Sequence, residues 1–326
     1  PTRPIIIVLG LVLIGVGMLL AWKLGRAQVT GLLVLVLVLA GSTVAWAVVS
    51  PAACERESAY FCINVEDETA DGSQKLLKMD TLRHAFVDLD DPTRLEFSYT
   101  RLLGDLVDGL APAGQAIDAL HLGGGGFTLP RYVEATRPGS TGVVLELDPV
   151  VLDVAVEELG FEETETTSVV LGDGRLSMRD QPDAAFDLVI GDAFAGPAVP
   201  WHLTTEEFVR DIQRVLRPDG IYAANIIDHP PLDLARSQLA TFAAVFEHVG
   251  VYGPASRLAG TTGGNVILVG SDAPLPVETV LAANEAHFGS AHFAVAEAEI
   301  DAFTEGALVL TDDYAPTDQL LTRFGR

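Results

Sequence analysis

The stretch HLGGGGFTLPRYV, residues 121–133, places four consecutive glycines, Gly123, Gly124, Gly125 and Gly126, directly after an apolar run. Glycine loses more backbone freedom on folding than any other residue. Four in a row therefore mark either a flexible linker or a turn that a ligand must approach closely. The flanks favour the ligand. Residues 116–122, AIDALHL, read as a short strand. Residues 128–136, TLPRYVEAT, read as a helix start, with Pro130 in the first turn where a missing N–H is tolerated. A strand, a glycine loop and a helix together aim N-terminal amides and the positive end of a helix dipole at a bound group. A strict G-x-G-x-x-G is absent, because Thr128 or Leu129 stands where the third glycine would fall.

Beyond residue 110 the pattern alternates strand and helix. TGVVLELD ends in acids, and PVVLDVAVEELG follows as a helix with Pro149 in its first turn and Gly160 at its end. TSVVLGDGR and the almost wholly apolar FDLVIGDAF read as further strands, the second with the composition of one covered on both faces. TTEEFVRDIQRVLRPDG reads as a helix, with Thr204 and Glu207 at capping-box spacing. IYAANIID is a strand, LDLARSQLATFAAVFEHVG a helix, and HVGVYGP with GNVILVGS a terminal antiparallel pair. This predicts an α/β, Rossmann-like doubly wound sheet over 111–326. Residues 51–110 read as a small β-rich domain of four short runs, the last of them RLEFSYTRLL (94–103).

In such a sheet ligands bind outside the carboxyl ends of the strands. The polar residues expected there are the four glycines, Glu146 and Asp148 in LELDP, Asp173 and Gly174 in GDGR, and Asp192 in GDAF. Glu146 lies 20 residues beyond Gly126, which suits a carboxylate accepting from ribose hydroxyls. Asp173 is placed to accept from an adenine amino group, and Asp192 to face the reacting end of a nucleoside. Asp148, directly before Pro149, reads as a helix N-cap.

The first 50 residues differ in kind. They contain no Asp or Glu, and Arg3, Lys23 and Arg26 are their only Lys or Arg. Residues 4–22 and 29–49 are each about long enough to cross a bilayer, with Trp22 and Trp46 near their ends. Their closeness predicts a two-helix transmembrane hairpin rather than a cleaved signal peptide. The expected localisation is thus a multi-pass membrane protein; Lys23 and Arg26 in the hairpin turn put its remaining domain outside by the positive-inside rule, whereas use of a cytosolic nucleoside puts it on the cytoplasmic side, the expectation taken here. All 45 acids lie beyond residue 50 with 17 of the 20 Lys and Arg, a net charge of about −28. Nucleic acid is excluded as a partner on that charge, and a polycation such as a polyamine is suited to it. Cys54 and Cys62 are either a disulfide or two independent thiols, and no Cys/His cluster has metal-ligand spacing.

Across roughly residues 58–270 these motifs together resemble the spermidine synthase (polyamine aminopropyltransferase) family, especially its membrane-attached bacterial members. The family's G-G-G-D-G-x-x-L-R-E-V maps without gaps onto GGGGFTLPRYV, its E-x-D onto Glu146-Leu147-Asp148, its acidic-Gly pair onto Asp173-Gly174, and its D-S-S-D-P-x-G-P onto DAFAGPAVP from Asp192. SAYFCINV resembles the opening strand of the family's small β-domain, and LTDDYAPTDQL (310–320) the tail of the membrane-attached relatives.

The resemblance implies decarboxylated S-adenosylmethionine as co-substrate, no tightly bound cofactor and no metal. It also implies an amine or polyamine acceptor, and a homodimer is compatible with it. By the same resemblance Glu146 holds the ribose, Asp173 the adenine, and Asp192 helps deprotonate the attacking amine. Three departures stand against it. Gly126 replaces the loop Asp, Ala195 replaces the second Asp of D-S-S-D, and the small domain's glutamine is replaced near His84. Two carboxylates that would grip a cationic amine are thereby lost. Restoring them, by Gly126→Asp and Ala195→Asp, is expected to improve diamine binding. The alternatives are a methyltransferase that uses S-adenosylmethionine itself, and a non-catalytic, membrane-anchored nucleoside-binding protein.

Overall fold

The computed structural model describes residues 8–16, 39, 54–196, 198–289, 293–295 and 297–321. The chain divides into two compact units, residues 1–64 and 65–326. Among the described residues no helix is long and apolar enough to cross a membrane. This corrects the expected membrane localisation, and the lipid bilayer expected as a partner finds no support among the described residues. Apart from residues 8–16 and 39, the expected spans 4–22 and 29–49 lie outside the described residues. In the first unit Cys54 and Cys62 are joined as a disulfide. It ties β1 (Arg56–Glu57) to the start of β2 (Cys62–Asp67), with which β1 pairs antiparallel.

In the second unit β3 (Gln74–Met79) and β4 (Leu82–Asp88) form an antiparallel hairpin. The run expected as a fourth strand is instead largely part of α1 (Ser98–Leu110). Its buried residues Leu102, Leu103, Leu106 and Val107 recur at three- and four-residue spacing, a helical stripe that the isolated window 94–103 does not reveal. Fully buried Arg137 closes the far end of α1, donating to the carbonyls of Val107, Asp108 and Ala111. These are carbonyls that a helix end leaves without intrahelical partners.

The remaining elements alternate. They are β5 (Asp118–Leu122), α2 (Thr128–Thr136), β6 (Thr141–Glu146), α3 (Pro149–Glu158), β7 (Thr167–Leu171), α4 (Gly174–Arg179), β8 (Phe186–Gly191), α5 (Glu206–Val215), β9 (Leu216–Asp228), α6 (Asp233–Ala243), β10 (His248–Gly253), β11 (Gly264–Ser271), α7 (Val277–Phe288) and β12 (Phe293–Ala294). The sheet runs β12-β10-β11-β9-β8-β5-β6-β7. It is parallel from β9 to β7 and antiparallel at β9–β11, β10–β11 and β10–β12. This is the expected α/β Rossmann-like sheet of methyltransferase type. Apolar clusters cover both faces, one including Leu120, Phe208 and Phe242, the other Leu103, Ala119 and Ile267. The order reverses between β5 and β8, and a ligand crevice opens at such a switch point.

Asp148 caps α3 as expected, its side chain accepting from Val150 N, with Pro149 at the first helical position. The cap of α5 is Thr205, one residue later than the capping-box spacing suggests; it accepts from Phe208 N.

Candidate active site

Four neighbouring strand ends build the site, and main-chain bonds hold them in line. Gly123 N donates to Leu145 O, Asp192 N to Leu122 O, and Gly172 N to Glu146 O, each at 2.9 Å. The glycine loop, Glu146, Asp173 and Asp192 therefore sit side by side, as the sequence predicts.

The four glycines have different reasons. Gly123 has φ +95°, and a Cβ there would lie 2.6 Å from the Asp192 carbonyl oxygen, so the loop passes directly against the β8 end. A Cβ on Gly124 would meet the Phe127 ring at 2.5 Å, and one on Gly126 would meet Ala85 Cβ at 2.6 Å. Gly125, at φ +51°, has open space where a Cβ would stand, the position a ligand can approach. Phe127 occupies the left-handed region at φ 54°, unusual for a bulky residue. It is fully buried and stacks on Phe161 with ring centroids 3.9 Å apart. That packing offsets the strain that sets the entry into α2.

Glu146 is buried at the end of β6. Its Oε2 accepts from Gly124 N at 2.7 Å and its Oε1 from Asp148 N at 2.8 Å. Burial pushes its carboxyl above the ordinary range, and these main-chain donors oppose the shift. Each carboxylate oxygen keeps a further lone pair for a ligand hydroxyl. Nearby apolar side chains are exposed: Leu147 follows Glu146, Leu171 is its register partner on β7, and Leu176 lies in the first turn of α4.

Asp173 is more committed than the sequence suggests. Its Oδ1 caps α4, accepting from Arg175 N and Leu176 N, and its Oδ2 lies 3.2 Å from His202 Nε2. Gly174 is required by packing, since a Cβ there would reach Leu122 Cδ1 at 2.5 Å.

Asp192 sits between two side chains that the sequence reading did not single out. Asn225 Nδ2 donates to its Oδ1 at 2.8 Å, and the Tyr99 hydroxyl reaches its Oδ2 at 3.3 Å. The same hydroxyl lies 3.4 Å from the carbonyl of His84, so position 84 meets the site through its backbone. Burial pushes the Asp192 carboxyl up to about 6, against the lowering effect of both hydrogen bonds. Burial and the neighbouring carboxylate raise Tyr99 well above the ordinary phenol range, so it stays protonated and can donate. Tyr99 would have been legible had 94–103 been read as a helix; Asn225 carries no local signal.

The tail at 310–320 docks beside Asp173. Arg175 makes a two-pronged ion pair with Asp312 at 2.6 and 2.7 Å, Thr205 Oγ1 donates to Asp312 at 2.8 Å, and Asp312 N donates to Glu207. Arg175 also donates to the carbonyl of His202. Asp312→Ala is expected to lower stability by about 1–2 kcal/mol, a figure discounted for the partial exposure of the carboxylate. Arg175 holds the Asp312 carboxyl below its ordinary range. The contribution is thus present above about pH 4 and lost as pH falls through the depressed value. Melting curves of the two proteins should converge on acidification; a constant gap would remove the ion pair as the cause.

No family model matches the chain. The polyamine aminopropyltransferase of Vibrio vulnificus is 31% identical over 156 residues, 47% of this chain and 50% of that protein. The eEF1A lysine and N-terminal methyltransferase of Xenopus laevis is 31% identical over 128 residues, 36% of this chain and 18% of that protein. Thus the chain spans about half the length of the curated aminopropyltransferases it matches. The crystal structure of a probable spermidine synthase from Corynebacterium glutamicum superposes with a TM-score of 0.73 at 29% identity, covering 81% of this chain and 97% of that one. In the order of its strand-end motifs, in its curated relatives and in its fold, the chain is similar to the spermidine synthase (polyamine aminopropyltransferase) family.

Proposed function

We propose that this chain transfers an aminopropyl group from decarboxylated S-adenosylmethionine to an amine, with residues 111–326 carrying the nucleoside. The observation that carries the reading is the division of labour along one row of strand ends. Glu146 and the open space at Gly125 lie on one side of the switch point, with the Asp192–Tyr99–Asn225 cluster on the other. In this reading Glu146 accepts from the ribose hydroxyls, and Leu147, Leu171 and Leu176 border the adenine. Asp173 contributes the oxygen that faces His202.

Asp192 orients the acceptor ammonium and takes its proton. The freed amine attacks the aminopropyl carbon, the carbon–sulfur bond breaks, and its electron pair stays on sulfur to give methylthioadenosine. The sulfonium is already a good leaving group, so the protein chiefly holds an uncharged nucleophile in line. A carboxyl titrating near 6 is charged at neutral pH, yet basic enough to share in proton removal.

The missing carboxylates at Gly126 and Ala195 favour an acceptor other than the standard polyamine. They also keep methyl transfer from intact S-adenosylmethionine as the second reading. Mass spectrometry separates the two: methylthioadenosine is expected from decarboxylated donor with an amine panel. S-adenosylhomocysteine from intact donor as the only product would establish the second reading instead.

Glu146→Gln is expected to weaken methylthioadenosine binding about 10- to 100-fold by calorimetry, since hydrogen bonds to a charged group are lost. Asp173→Asn should cost less, because Oδ1 serves the α4 cap. Equal binding by wild type and Glu146→Gln would reject the ribose assignment.

A further inference from the structure

A side-chain amide has a donor end and an acceptor end, and only the donor end is compatible with a neighbouring carboxylate. What holds the donor end of Asn225 toward Asp192 lies one strand further on. Asn265 Nδ2 donates to Asn225 Oδ1 at 3.0 Å, while Asn225 Nδ2 donates to Asp192 Oδ1 at 2.8 Å. The register partner of Asn225 across β9–β11 is Ile267, so Asn265 is its diagonal neighbour on the same face of the sheet. The main chain at Asn265 is itself fixed, its carbonyl accepting from Arg257 Nη1 at 2.9 Å. Asn225 is almost wholly buried, so water does not readily replace a lost amide partner. Tyr99 is the weaker holder of Asp192, because one hydroxyl proton serves both Asp192 and the carbonyl of His84.

We propose that Asn265 is a positioning residue: it fixes the Asn225 amide with its N–H toward Asp192, and so keeps the carboxylate ionised and aimed. The inference rests on Asp192 being the base of the proposed reaction, but it can be read without that reaction. The groups that face Asp192 are Tyr99 from α1, Asn225 from β9 and the main chain of Gly123; Tyr99 is the titratable one among its hydrogen-bond partners.

The test is a carboxyl-carbon NMR titration of Asp192 in the full chain, its resonance assigned by loss in Asp192→Asn. Asn265→Leu is expected to raise the Asp192 midpoint by about half a pH unit or more, threefold in proton affinity. Asn265→Asp should raise it further, because a carboxylate at 265 demands the donor end of Asn225 and turns the acceptor toward Asp192. Asn265→Ala adds no bulk and carries the same expectation as leucine should that variant not fold. In an Asn225→Leu background, Asn265→Leu should add nothing, since it acts through that amide. An unmoved midpoint in the single variants, or an added shift in the double one, overturns the proposal. If no aminopropyl product forms while the midpoint moves, the functional reading fails and the amide lock stands. If product forms and the midpoint does not move, the lock fails alone.

Discussion

Replacing Asp192 by asparagine is expected to lower aminopropyl transfer about 10²- to 10⁴-fold, the usual loss with a positioned acid–base group, and to raise stability at alkaline pH. Both effects come from the same burial. The Asp192 carboxyl is pushed up to about 6, so the folded protein binds its proton more tightly than the unfolded chain does. A raised carboxyl contributes stability that is full below its unfolded value near 4 and lost as pH rises through 6. Above that window the ionised form costs the fold about 2–3 kcal/mol. Asparagine at 192 is neutral and can still accept from Asn225 and pair with Tyr99. Its melting temperature should exceed that of wild type at pH 8 and match it near pH 4. Nucleoside binding should stay within a few-fold, because Glu146, the carboxylate proposed to hold the ribose, stands two strands away. A variant that still transfers at the wild-type rate would remove Asp192 from the chemistry. One destabilised at pH 8 would show that the charge is not a burden on the fold.

What the sequence made legible is local. The glycine loop, the Asp148 cap with Pro149, and the terminal antiparallel pair depend on residues within a few positions of one another. Glu146 was legible because the spacing of a strand–loop–helix–strand unit is nearly constant, and the structure places it on Gly124 N. What was hidden is non-local or conformational. Tyr99 meets Asp192 across 93 positions, and Arg175 meets Asp312 across 137. The amide pair Asn225–Asn265 exists only because β9 and β11 share one register. Helix α1 was missed because its apolar stripe runs past the window in which RLEFSYTRLL looks like a strand. The Asp173 cap was missed because α4 is only six residues long and offers little periodicity. Phe127 shows the limit most clearly, since a buried phenylalanine in the left-handed region contradicts its own preference and is held there by Phe161.

The two positions where the resembled family's motifs carry a carboxylate and this chain does not should answer differently when one is introduced, contrary to the joint gain expected from sequence. At position 126 a Cβ would lie 2.6 Å from Ala85 Cβ and 3.0 Å from Val87 Cγ2, both on buried β4. Neither contact is the far end of a flexible side chain, so the backbone must move. Overpacking of this kind costs about 1–3 kcal/mol, and burying a new charge adds to it. Gly126→Asp is therefore expected to lower the melting temperature by several degrees and to bind neither putrescine nor methylthioadenosine better than wild type. Ala195 is exposed and pairs only through its main chain with Ala198. Ala195→Asp should fold normally and strengthen putrescine binding up to about fivefold, modest because an exposed charge pair is screened. The steric account has its own check in Ala85→Gly. That change deletes the nearest atom, so Gly126→Asp should recover part of its stability in the Ala85→Gly background. Calorimetry with putrescine and thermal melts of the four variants read all of this. A stable Gly126→Asp single variant that binds the diamine more tightly would mean that the loop at 126 can yield, and that its lost carboxylate alone sets the acceptor.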